Sequence, residues 1–253
     1  MTKSNARLKD FHALILLFFC FVHLCFSDDT SSLIALRNSL LERKDVVSTW
    51  FGSTMRPCNW TGIMCESFVV HQISLSCTSS PLSLPFPKIL EEFKSLKHLS
   101  VRHCGFNGRI YSDFWTLEHL ETLDLSDNRL SGVLPLAISN LKKLKVLVLN
   151  SNNFSGNLPS KIGQLKELTE LSVYSNSFSG SLPYQIGNLA KLQSLDLSLN
   201  LFSGSLPSEI GNLKRLFVTP QNFVSNNVLT RVLSYTWHII FNKGLMLTNL
   251  ESI

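Results

Sequence analysis

The chain has 253 residues, 44% hydrophobic and 16% charged, with a formal net charge of +5. Three bases against one acid within residues 1–27 account for +2 of this, and the remaining +3 is scattered without a basic cluster. So weak and diffuse a charge excludes an electrostatic surface for nucleic acid.

In chain order, residues 1–27 read as a signal peptide. Lys3, Arg7 and Lys9 precede an apolar run over 13–22, and the small residues Cys25 and Ser27 stand three and one places before Asp28. Ten apolar residues fall short of the ~20 that cross a bilayer, so cleavage is expected to leave a mature chain beginning at Asp28. Near the other end, the apolar stretch over 228–241 is interrupted by Arg231, Ser234 and His238, so no membrane span is expected there either.

Residues 28–68 are expected to form an amino-terminal cap. Leu33, Leu36 and Leu40 recur at helical spacing, which predicts a helix over Thr30 to Arg43 with Thr-Ser-Ser at its start. Trp50 and Trp60 are expected to pin the following loop onto that helix. Four cysteines remain outside the signal segment, and an even number in an exported chain favours disulfides. The predicted pairs are Cys58–Cys65 and Cys77–Cys104. Metal ligation is the alternative for all four, although no C-x-x-C is present. Buried free thiols are the alternative for the second pair.

The segment 69–216 repeats, and from Leu96 onward its period is a constant 24 residues. Leu99, Leu123, Leu147, Leu171 and Leu195 form one column, and Val101, Leu125, Leu149, Val173 and Leu197 the next. Apolar residues two apart place both side chains on one face of a short strand, so successive strands are expected to stack in parallel. Asn128, Asn152, Asn176 and Asn200 follow, expected as a buried ladder whose amides satisfy backbone groups of neighbouring coils. Cys104 takes the same column one coil earlier, beside Cys77, which follows the irregular first strand of Ile73 and Leu75. Phenylalanines at 106, 154, 178 and 202 supply apolar area that one coil cannot bury alone. A glycine column and Pro135, Pro159, Pro183 and Pro207 shape the turns. The implied fold is an α/β repeat, a right-handed solenoid closed by a disulfide-stapled helical cap.

Residues 217–253 depart from the register, since Thr219, Gln221 and Val224 stand where two apolar residues and an asparagine are due. The coil carrying Leu197 and Phe202 is therefore expected to expose an apolar end unless the tail covers it.

The motif L-x-x-L-x-x-L-x-L-x-x-N-x-F/L-S-G-x-L-P, with Pro57-Cys-Asn-Trp-Thr-Gly-Ile-Met-Cys65, resembles the ectodomains of plant leucine-rich-repeat receptor-like kinases. Cys104-Gly-Phe-Asn-Gly108 after Pro81-Leu-Ser-Leu-Pro-Phe-Pro87 is most similar to the multiple-sporocyte group. The resemblance implies a plant-type leucine-rich-repeat solenoid and a ligand-sensing role toward a secreted peptide or protein, with a co-receptor ectodomain as further partner. It also implies a secreted or cell-surface location. Kinase activity is not carried over, because no Gly-rich phosphate loop, H-R-D or D-F-G occurs. The chain thus reads as a form truncated before the transmembrane and kinase parts. A secreted inhibitor similar to the polygalacturonase-inhibiting proteins is the alternative.

No catalytic constellation, metal site or cofactor motif is legible. Contact residues are expected on the concave strand face, at Arg102, Asp124, Asn150, Tyr174 and Asp196, with Arg102 and Tyr174 as anchors. An ordinary solvated face is the alternative. Two N-x-S/T sequons, Asn59-Trp-Thr and Asn153-Phe-Ser, are expected on the surface as glycan acceptors, or as unoccupied sequons.

Overall fold

The computed structural model describes residues 29–41, 50, 57–77 and 83–217. The signal segment 1–27, Arg43 and the tail beyond Phe217 lie outside the described residues.

The cap opens with α1, Thr30–Ser39, which buries Leu33 and Leu36 as their spacing requires. Its start differs from expectation. Asp29 occupies the N-cap and no side chain caps the first turn. The Asp29 carboxylate instead accepts a 2.7 Å hydrogen bond from the buried N–H of Val70, tying the helix start to the first repeat strand. Trp50 and Trp60 stack at 4.9 Å, and the Arg37 guanidinium lies 5.4 Å from the Trp60 ring centroid. Trp50 also donates from Nε1 to the Thr61 carbonyl at 3.1 Å.

A hairpin joins cap to repeats: β1 (Ile63–Glu66) runs antiparallel to β2 (Val69–Ser76). Its two-residue turn, Ser67 and Phe68, has φ of 51° and 66°, the left-handed pair that a type I′ turn demands. Neither residue is the Asn-Gly that signals such a turn, which is why the sequence did not reveal it. Gly62 permits the close approach beneath, since a Cβ there would sit 2.0 Å from the Ser74 carbonyl oxygen.

The repeats follow at the 24-residue register. Strands β4 (His98–Arg102), β6 (Thr122–Asp124), β8 (Val146–Val148), β10 (Glu170–Ser172) and β12 (Ser194–Asp196) extend the hairpin into one seven-stranded sheet, parallel from β2 onward. Leu99, Leu123, Leu147, Leu171 and Leu195 are direct register partners. All five are fully buried.

A second sheet was not expected. β3 (Leu84–Pro85), β5 (Phe106–Gly108), β7 (Arg129–Val133), β9 (Asn153–Asn157), β11 (Ser177–Gly180) and β13 (Leu201–Phe202) form a six-stranded parallel sheet from the phenylalanine-to-glycine stretch. Its glycines take positive φ, as at Gly180 (φ 71°), where a Cβ would meet the Asn157 side-chain oxygen at 2.4 Å. Five-residue 3-10 turns such as Leu136–Asn140 and Ser160–Gln164 close each coil, so among the described residues the only α-helix belongs to the cap. Prolines 87, 135, 159, 183 and 207 precede these turns in extended conformation, with Tyr111 doing so in the second coil. Pro87 thus places the irregular first coil in the same column.

The asparagine ladder is present and complete in its logic. Asn152 accepts from Leu130 N–H at 2.9 Å and donates to the carbonyls of Leu125, Leu149 and Asn150 at 2.8–3.1 Å. Immediately before each ladder position the chain turns through a left-handed residue: His103, Asp127, Ser151, Ser175 and Leu199, with φ of 51–58°. Phe154, Phe178 and Phe202 stack at 6.2 and 6.1 Å. Leu130 interrupts the column, and Phe106 meets Phe86 edge-on instead.

Both predicted disulfides form, with Cα–Cα distances of 5.7 Å for Cys58–Cys65 and 4.9 Å for Cys77–Cys104. At the far end Leu197 and Phe202 are fully buried. The register also persists one residue past Leu216, since Phe217 N–H bonds to Gln193 O at 2.9 Å just as Gln193 bonds to Thr169.

Candidate functional site

The outward face of the seven-stranded sheet presents three side-chain columns, one each side of the paired core residues and one between them. The middle column is less open than expected. Asp124, Val148 and Ser172 are 6–8% exposed, because parallel neighbours at ~4.8 Å spacing shield short side chains on both flanks.

Two of the nominated contact residues occupy each other. Arg102 donates from Nε and from a terminal nitrogen to Asp124 Oδ2, both at 2.5 Å. The other carboxylate oxygen of Asp124 accepts from Ser126, at 3.1 Å from the backbone N–H and 2.7 Å from the hydroxyl. The hydrogen bond to Asp124, then its charge, raises the Arg102 pKa above its ordinary value. Asp124 is therefore a buried ion-pair partner, not a projecting contact. The pairing joins positions 22 apart on adjacent strands, one period less two residues, which the 24-residue register could have revealed.

The other three nominated residues stay at least partly open. Asn150 is half-buried, its Oδ1 accepting from the Ser172 hydroxyl at 2.7 Å. Tyr174 is half-buried just past the end of the next strand. Asp196 is half-buried and holds Ser198 through Oδ1, at 3.0 Å from the N–H and 2.6 Å from the hydroxyl. Along the sheet margin, Lys145 donates to Glu121 at 2.5 Å, which holds the Glu121 carboxyl below its ordinary 4.5.

Asn59 and Asn153, the sequon asparagines, are both exposed. Between the second sheet and the 3-10 turns lies a separate cavity of about 210 Å³ bordered by Arg109, Ile110, Trp115, Val133, Pro135 and Phe154, and none of the nominated residues lines it. Among the described residues, no group of three or more His, Cys, Asp or Glu is placed to hold a metal, and no helix is long and apolar enough to cross a membrane.

Known proteins share this arrangement. Residues 26–66 match the family described as Leucine rich repeat N-terminal domain, and residues 95–117, 118–178 and 191–213 match Leucine rich repeat families. The chain is 43% identical over 84 residues to the leucine-rich repeat receptor protein kinase MSP1 of Oryza sativa subsp. japonica, covering 33% of this chain and 6% of that protein. It is 38% identical over 117 residues to the receptor-like serine/threonine-protein kinase RGI4 of Arabidopsis thaliana, covering 45% of this chain and 11% of that protein. In structure it is similar to the Arabidopsis receptor kinase HAESA solved with the peptide hormone IDA and the co-receptor SERK1. The TM-score is 0.66 at 35% identity, covering 74% of this chain and 33% of that one. The chain thus spans a small part of the relatives' length. With its disulfide-stapled cap, its in-phase parallel strands and these matches, the chain carries a leucine-rich-repeat N-terminal domain followed by leucine-rich repeats and is similar to the ectodomains of plant receptor kinases.

Proposed function

We propose that this chain is an extracellular ligand-sensing module, taking a secreted peptide or small protein along the outward face of the seven-stranded sheet, with a co-receptor ectodomain as a second partner. The observation that carries this reading is the partly open strip of Asn150, Tyr174 and Asp196 at the exits of three consecutive strands of fixed register. Rigid presentation lowers the entropy cost of binding, and an aromatic residue supplies most energy per contact. Seven strands give ~29 Å between the outermost two, room for roughly nine extended residues. The solved relative holds a peptide hormone and a co-receptor, and the sequence relatives are receptor kinases, which favours this reading over a secreted inhibitor. The two disulfides fit an oxidising location outside the cell.

The test is to express the full chain through a secretory pathway and measure binding to a panel of secreted plant peptides by calorimetry. A ligand bound by the wild type should lose at least tenfold in affinity on Tyr174→Ala. Tyr184→Ala, at an exposed site on a 3-10 turn, should leave it unchanged. The opposite pattern would move the site off this face.

A further inference from the structure

The repeat supplies an internal control for Asp196. Three coils earlier, at the same register position, Asp124 holds Ser126 through Oδ1 and a guanidinium through Oδ2. Asp196 reproduces the first half, with Oδ1 bonded to Ser198 N–H and hydroxyl at 3.0 and 2.6 Å. The second half is missing. The position that Arg102 fills is taken by Tyr174, and among the described residues Asp196 Oδ2 has no hydrogen-bond or ionic partner. Where Arg102 covers Asp124 the carboxylate is buried, and where no arginine lies across it Asp196 remains half-open.

A carboxylate is not needed at this column for the strand exit, since Ser100, Val148 and Ser172 serve in other coils. Nor is its charge offset locally. From β8 to β12 the outward columns hold Glu170 and Asp196 and not one lysine or arginine, and Glu170 is itself half-buried without an ionic partner among the described residues.

We propose that Asp196 and Tyr174 form a receiving site for a guanidinium group, the arginine side chain of an extended peptide, with Asp196 Oδ2 accepting the planar N–H donors. The Arg102–Asp124 pair shows how this carboxylate arrangement holds such a group. Tyr174 adds a ring face on which a guanidinium stacks, which a lysine ammonium uses less well. Glu170 adds long-range attraction for the incoming cation. The assignment rests on the outward-face reading above and names the chemistry of its ligand.

The experiment uses the full secreted chain and blocked nonapeptides of glycine, serine and proline with one central arginine, lysine or citrulline. Citrulline keeps the shape of arginine and removes the charge. The arginine peptide should bind about tenfold more tightly than the citrulline peptide, and Asp196→Asn should abolish the preference while keeping the Oδ1 acceptor for Ser198. Tyr174→Arg should fill the site from within, forming a second pair like Arg102–Asp124 in its crystal structure and eliminating binding of the arginine probe. Equal binding of arginine and citrulline peptides, or no binding of either, overturns the guanidinium site. If that equal binding still falls on Tyr174→Ala, the outward-face reading stands while the guanidinium assignment fails. If Tyr174→Ala leaves both untouched, the two readings fail together.

Discussion

Replacing ladder asparagines by leucine should cost stability in proportion to the backbone donors each one satisfies. In Asn152→Leu, Leu130 N–H loses its acceptor. The three carbonyls it served each keep another donor: Leu125 O retains Asn128 Nδ2, Leu149 O retains Asn176 Nδ2, and Asn150 O retains the Asp127 N–H. One orphaned buried donor costs about 1–3 kcal/mol. Asn128→Leu orphans two donors, the N–H groups of Cys104 and Phe106, both held at 3.1 Å, so about twice that loss is expected. In a domain of this size each kcal/mol lowers Tm by roughly 2–4 °C, which separates the two variants in a thermal melt followed by circular dichroism. Equal shifts, or an Asn152→Leu melt indistinguishable from wild type, would refute the counting of orphaned donors.

Three further outcomes are expected. Opening the Cys77–Cys104 bridge, which closes the longer loop at a sequence separation of 27, should destabilise more than opening Cys58–Cys65 at 7. Chain-entropy losses are ~3.6 against ~2.5 kcal/mol, measured as denaturation midpoints of Cys104→Ser and Cys58→Ser. Glu121→Gln should destabilise slightly near neutral pH. Because Lys145 lowers the folded Glu121 pKa, this contribution is present above 4.5 and fades as pH falls through the folded value, so the two melting curves should converge in acid and in high salt. Asn153 is exposed, and Asn153→Gln should remove one glycan from the secreted chain, read as the loss of an enzymatically removable mass.

Much of the fold follows from the chain alone because a repeat states its own spacing. A 24-residue period with leucines two apart leaves a stacked parallel strand as the way to bury both, and an asparagine recurring three residues later points to a ladder. The same regularity carries both disulfides, since Cys77 and Cys104 fall where adjacent coils leave the sheet. It did not carry the second sheet. The stretch from Phe154 to Asn157 has no alternating pattern of its own, and its strands pair only because the first sheet has already brought neighbouring coils together. Nor did it carry the left-handed conformation of Leu199, which an isolated leucine avoids and which the ladder bonds of Asn200 impose.

The outward face divides in the same way. Which residues lie on it is a matter of period and alternation, and Arg102, Asp124, Asn150, Tyr174 and Asp196 were legible there. Which of them remain available depends on contacts across coils. Arg102 closes over Asp124, whereas Tyr174 leaves Asp196 half-open, because a side chain on one strand reaches diagonally to the next at a distance that residue type alone does not specify. Periodicity determined the scaffold and the roster of the face, and tertiary pairing decided which charges are paired within the protein and which stay open to solvent.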